Sequence, residues 1–167
     1  LDMPKLPFNS RFHTTQSYAL LTQNMAFLPY TINTAIVPGS YANPPVNAYD
    51  PAALPVSSLN GKRGIYNQSY ILSSRPWQSL ATRVGYRSAI VANKTKEITF
   101  PGKASVDQQW SSSTYTSHIY SPHRQNVDVD IDMDVVPKVT FSAGWGLEMM
   151  ERTNREVEKT QENTLRG

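Results

Sequence analysis

The clearest pattern of apolar and polar positions runs from Val127 to Val136. Val127, Val129, Ile131, Met133 and Val135 alternate with Asp128, Asp130, Asp132 and Asp134. A period of two predicts a strand with one apolar and one carboxylate face. Lys138 to Ser142 either continues this strand or pairs with it, and Ala143-Gly144-Trp145-Gly146 reads as a break. Beyond the break the period changes. Leu147, Met150, Asn154, Val157, Gln161 and Thr164 fall at alternating spacings of three and four, which predicts a C-terminal helix with a heptad seam over 147–166. Glu148–Arg152, Glu151–Arg155, Arg152–Glu156 and Glu162–Arg166 are opposite charges four residues apart. On a helix each would contribute roughly 0.2–0.5 kcal/mol. Near the other end, Tyr18, Leu21, Met25 and Leu28 suggest a short helix over Thr14–Leu28, with Thr14 or Thr15 as cap and Pro29 as stop. An apolar hairpin is the alternative there.

The middle of the chain follows neither period for long. From Pro29 to Asn60, Pro38-Gly39, Asn43-Pro44-Pro45, Asp50-Pro51 and Leu54-Pro55 interrupt it every few residues. Proline removes a donor and fixes φ, so extended backbone with turns is expected. Tyr30, Ile32, Ile36, Val37, Tyr41, Tyr49, Leu54 and Val56 make the segment too apolar for a spacer. Such a segment lies along another surface. After the Asn60-Gly61 turn come β-branched and aromatic runs at Ile65–Leu72, Val84–Ala92, Ile98–Phe100 and Thr114–Tyr120. The expected organisation is four pieces: 1–28 with the short helix, 29–126 rich in Pro and Tyr, 127–142 as acidic strand, and 147–166 as helix. The expected fold is mostly extended or irregular, with short β-strands and a C-terminal α-helix. A small all-β sandwich plus C-terminal helix is the alternative.

Composition narrows the function. The 167 residues contain no Cys, which excludes disulfides, Cys-ligated metal and a Cys nucleophile. No run of 18 apolar residues occurs, so no membrane-spanning helix and no membrane span of any kind is expected, and no leader pattern opens the chain. The net charge of +3 hides an asymmetry. Residues 1–126 carry 11 basic and 4 acidic groups, net +7, and residues 127–167 carry 5 and 9, net −4. The basic part is drawn to acidic partners, but its charges are too dispersed for nucleic acid to be the expected one.

The candidate chemistry is sparse. Four aspartates on one strand form a row, whereas calcium needs converging oxygens, so the stripe is read as meeting basic residues rather than a metal. His118 and His123 with Asp107 lack ligand spacing, and Ser111-Ser112-Ser113 has no base. Gly61-Lys62-Arg63-Gly64 is a basic turn without a phosphate-loop pattern. No catalytic, cofactor or metal residues are assigned, and the chain is read as non-enzymatic. The informative feature is arginine interleaved with aromatics: Ser74-Arg75-Pro76-Trp77, Gly85-Tyr86-Arg87 and Tyr120-Ser121-Pro122-His123-Arg124. Trp, Tyr and Arg anchor protein interfaces.

These anchors, together with the charge-striped Thr/Gln/Asn-rich stretch Glu151–Thr164, make the chain resemble proteins that line and brace ciliary doublet microtubules, of the tektin-associated type. The resemblance implies a structural microtubule inner protein in the axoneme, ordered by tubulin or tektin-like filaments. Docking is expected through Trp77, Tyr86, Arg87, Trp110, Tyr120 and Arg124, and through Leu147, Met150 and Val157 of the terminal helix. A virion protein cementing capsid subunits and a compact β-sandwich binding module are the alternatives.

Overall fold

A computed structural model of the chain describes residues 1–33, 47–105 and 110–167. The expected features at Ile36, Val37, Pro38-Gly39, Tyr41, Asn43-Pro44-Pro45 and Asp107 lie outside those residues. The strands in chain order are β1 (Asp2–Leu6), β2 (Ser10–Gln23), β3 (Gly61–Trp77), β4 (Leu80–Asn93), β5 (Thr99–Phe100), β6 (Lys103–Ala104), β7 (Trp110–Ser111), β8 (Tyr115–Thr116), β9 (His123–Val136), β10 (Val139–Glu151) and β11 (Lys159–Arg166). Seven of them form one sheet in the order β1-β2-β3-β4-β9-β10-β11. β5 pairs with β8 and β6 with β7 in two short ladders.

The large sheet is antiparallel. β1–β2, β4–β9, β9–β10 and β10–β11 are so paired. Across β2 and β3, Ser10 meets Ser74, Gln16 meets Tyr70, and Ser17 meets Asn67. One number falls as the other rises, which is the antiparallel signature. Short turns close three of the hairpins. Between β1 and β2, Phe8 and Asn9 take φ of 61° and 50°. Gln78 and Ser79 join β3 to β4. Pro137 and Lys138, the latter at φ 72°, join β9 to β10. Proline presets its own φ and the next residue goes left-handed, a type II arrangement.

The chain divides into two compact units. The first contains Leu1–Leu20, Gly64–Asn93 and Tyr120–Gly167, and the second Leu21–Arg63 and Lys94–Ile119. The buried apolar residues among those described, Ala48, Ile98 and Trp110, all belong to the second unit. There Tyr30 meets the Trp110 ring edge-on at 4.9 Å, and Phe100 stacks on Tyr115 at 5.5 Å. The described part of the Pro-rich segment adds one 3-10 turn, Pro51–Ala53, capped by the Asp50 carboxylate.

The expected fold class is corrected: the structure is an all-β fold dominated by one large antiparallel sheet, with neither predicted helix. Residues 147–166 are not helical. They form the end of β10, a reversal with Asn154 at φ 56°, and β11. The supposed break at 143–146 lies inside β10. Trp145, Leu147 and Met149 have a period of two, which the coincident three-and-four spacing of Leu147 and Met150 disguised. Glu151 pairs across the hairpin with Lys159 at 2.9 Å instead of along a helix. Residues 14–23 likewise continue β2, where Phe12, Thr14, Gln16, Tyr18 and Leu20 share a face. Met25 and Leu28, needed for the helical face, lie beyond the strand and are exposed. In both places pairing with a neighbouring strand, β3 for residues 14–23 and β10 for β11, overrides weak local periodicity.

Candidate functional site

The register of the first unit sorts side chains onto two opposite faces. On one face β4 sets Arg83 opposite Asp130, Gly85 opposite Asp128 and Arg87 opposite Asn126. On the far side of β9, Gly144 faces Asp130, Gly146 faces Asp128 and Ser142 faces Asp132. Arg87 Nη2 donates to Asp128 Oδ2 at 2.8 Å. Arg166, on β11, reaches across β10 to Asp130 Oδ1 at 3.3 Å and Asp128 Oδ1 at 3.5 Å. The glycines permit that reach. A Cβ at position 144 would stand 2.7 Å from Asp130 Oδ1 and 3.2 Å from Arg166 Nε. Arg124 Nη2 donates to Glu148 Oε2 at 2.6 Å. Ser142 and Thr140 hydroxyls donate to Asp132 and Asp134, each at 2.7 Å. The acidic stripe thus meets arginine at one end and hydroxyls at the other. A groove of about 430 Å³ runs between Arg87, Arg124, Asp128, Glu148, Thr164 and Arg166.

The other face is apolar. The register lines up Leu80, Met133 and Phe141, then Val84, Val129, Trp145 and Leu165, then Tyr86, Val127 and Leu147. These side chains are not covered: Met133 is 43% exposed, Phe141 57% and Leu165 82%. A sheet in water buries such a face against a second layer, and none of the first unit's apolar side chains counts among the buried residues described. The band ends at a polar row. Tyr70 stacks on Phe12 and Tyr86. The Tyr70 hydroxyl accepts from Gln16 at 3.0 Å and donates to Gln68 at 3.2 Å. Tyr86 donates to Gln125 at 3.1 Å. Along β9 the band runs from Val127 to Val135, about 26 Å at roughly 3.3 Å per residue. A strand tilt of about 40° shortens this to about 20 Å of height.

The residues nominated as anchors do not form one surface. Tyr86 and Leu147 lie on the apolar face, and Arg87, Arg124 and Met150 on the charged one. Trp77 ends β3 and is exposed. Tyr120 precedes β9 with the Arg155 guanidinium 4.4 Å above its ring. Val157 sits exposed between β10 and β11. Trp110 is buried in the second unit. Sequence reasoning missed Arg166, Gly144, Gly146 and the Tyr–Gln row. The period-two run Gly144-Gly146 opposite alternate aspartates was the available signal. Among the described residues no group of three or more His, Asp or Glu is placed to hold a metal ion. In the second unit burial pushes the Tyr30 phenol up from its ordinary value, and its hydroxyl meets no partner among the described residues.

A family model described as "Putative outer membrane beta-barrel porin, MtrB/PioB" matches residues 4–167. No curated protein matches the chain. The family match overturns the resemblance to microtubule inner proteins. With it go the axonemal and virion settings, the tubulin, tektin and capsid partners, and the structural role built on them. The expectation of no membrane span is corrected too. No described helix is long and apolar enough to cross a membrane, but a barrel crosses with strands.

Proposed function

The chain belongs to the MtrB/PioB family of outer membrane β-barrel porins, and from that premise we propose that its seven-stranded sheet is a section of barrel wall, with a channel or structural role and no catalytic step. The apolar face, with Tyr86 and Leu147, meets lipid. The charged face, with Arg87, Arg124 and Arg166, lines a hydrated lumen.

The observation that carries this reading is the uncovered apolar face backed by a face of paired charges. Water would penalise that arrangement and a bilayer requires it, since closed barrels place apolar residues outward and polar residues inward. The strands support it as well. β2, β4 and β9 have 14 residues each, beyond the roughly 9–11 a tilted spanning strand needs. The band height of about 20 Å approaches the roughly 25 Å expected of outer-membrane barrels, and the Tyr–Gln row stands where an aromatic girdle belongs.

Connection lengths set the orientation. Residues 7–9, 78–79 and 137–138 are tight turns, whereas 24–60 and 94–122 are long. In such barrels short turns face the periplasm and long connections the exterior. Because these 167 residues contain no Cys, Gln78→Cys and Val157→Cys each introduce the one thiol of this stretch. A membrane-impermeant maleimide applied to intact cells is expected to label position 157 and to spare position 78 until the outer membrane is permeabilised. Equal labelling of both in soluble extracts, with none in the outer membrane fraction, would refute the wall assignment.

A further inference from the structure

The second unit holds a pocket whose chemistry the barrel wall does not use. Its apolar part is formed by Pro55, Val56, Leu59 and Ile98, the last only 6% exposed. Its rim carries Lys62, Lys94 and Lys96. The void measures about 360 Å³.

Two of the lysines are held together by the backbone. The Lys94 N–H donates to the Lys62 carbonyl at 2.8 Å, and the Lys62 N–H donates to Thr95 Oγ1 at 3.1 Å. Lys62 on β3 and Lys94, just past the end of β4, are therefore backbone neighbours lining one pocket, and like charges so placed repel one another. Among the described residues no carboxylate forms an ion pair with any of the three ammonium groups. Glu97, the one acid lining the pocket, is turned to His118 Nδ1 at 3.6 Å and to the Ile119 N–H at 3.4 Å. A triply cationic rim over an apolar floor is the complement of an anionic amphiphile. Neither half alone accounts for the other.

We propose that this pocket binds the phosphate-bearing head of an anionic lipid, with the lysines on the phosphate and the start of the apolar body against Val56, Leu59 and Ile98. The choice of a lipid over a soluble amphiphile rests on the outer-membrane reading above. Each lysine near an anionic membrane surface strengthens its attraction. Removing three charges is therefore expected to weaken binding by at least about tenfold.

The test uses the full chain in zwitterionic detergent micelles with three probes: phosphatidic acid, phosphatidylcholine and inorganic phosphate. Retention is read by native mass spectrometry and affinity by calorimetry. Phosphatidic acid is expected to bind one per chain, at least about tenfold more tightly than phosphatidylcholine. The preference should vanish in the K62Q/K94Q/K96Q variant, whose substitutions are at exposed positions. Val56→Asp, which keeps all three lysines, should also weaken phosphatidic acid. Equal binding by wild type and the triple variant would overturn the proposal. So would inorganic phosphate binding as tightly as the lipid, because the apolar floor would then contribute nothing. The two readings fail separately. Lost insertion with retained lipid selectivity in micelles sinks the wall assignment, and the reverse result sinks the pocket.

Discussion

The two units of this chain obey opposite burial rules. In the second unit, short ladders and irregular segments tuck Ala48, Ile98 and Trp110 away from solvent, and aromatic rings meet edge to face. In the first, long regular strands leave Val135, Phe141 and Leu165 more than half exposed while charged side chains pair on the other face. The same hydrophobic effect gives both outcomes if the two regions meet different solvents. Apolar groups facing water must find one another, whereas apolar groups facing acyl chains need no partner. Regular hydrogen bonding follows the same division, because in lipid each backbone N–H and C=O must be satisfied by a neighbouring strand.

Substitutions that separate the two solvents sharpen this contrast. The largest effect is expected at Trp110→Ala, which opens a cavity in the second unit and costs about 3–5 kcal/mol of its stability. Limited proteolysis should then cut within 94–119 while β9 and β10 stay protected. Simultaneous loss of both would show that the units do not differ in the way argued. Next comes Val129→Arg, on the apolar face midway along the band. It is expected to cost about 2–4 kcal/mol when urea unfolding is followed in bilayers. The matched change on the charged face, Thr164→Arg, should stay within about 0.5 kcal/mol. Similar penalties at 129 and 164 would erase the distinction between the faces. A small stability effect is also expected at Arg166→Gln. Its pairs with Asp128 and Asp130 are longer than 3 Å and half exposed, so the loss should be at most about 1 kcal/mol. Its signature lies elsewhere. On the proposed lumen assignment of the charged face, freeing two carboxylates there should shift the ion preference of a reconstituted channel toward cations, seen as a moved reversal potential in a salt gradient. An unchanged potential would place Arg166 away from the conduction path.

Local pattern carried part of this architecture. Residues 127–135 alternate strictly, and they are the core of β9. Ile65–Leu72 and Val84–Ala92 were recognisable as strands, though at about half the length attained in β3 and about two-thirds of that in β4. Their remaining residues, such as Gly61-Lys62-Arg63-Gly64 and Ser73-Ser74-Arg75-Pro76, have little strand propensity and are held by neighbours. The candidate site was less legible still. Arg87 and Arg124 were singled out beside aromatics, yet their partners Asp128 and Glu148 lie 41 and 24 residues away in sequence. Arg166 was placed on a helix because its spacing from Glu162 suited one.

By itself the sequence determined the alternation that gives β9 an apolar and an acidic face, the lack of thiol chemistry in these 167 residues, and the breakers that leave 29–33 and 47–60 without a long regular element. Those properties depend on residues adjacent in the chain. The tertiary structure decided that 14–23 and 147–166 are strands, that Arg166 crosses two glycines to reach Asp130, and that three lysines ring one apolar pocket. Each depends on which strand lies next to which. Alternation also has no sign: a period of two says that one face is apolar but not whether that face meets a core, a partner or lipid. The solvent on each side belongs to the assembled sheet, and no stretch of sequence contains it.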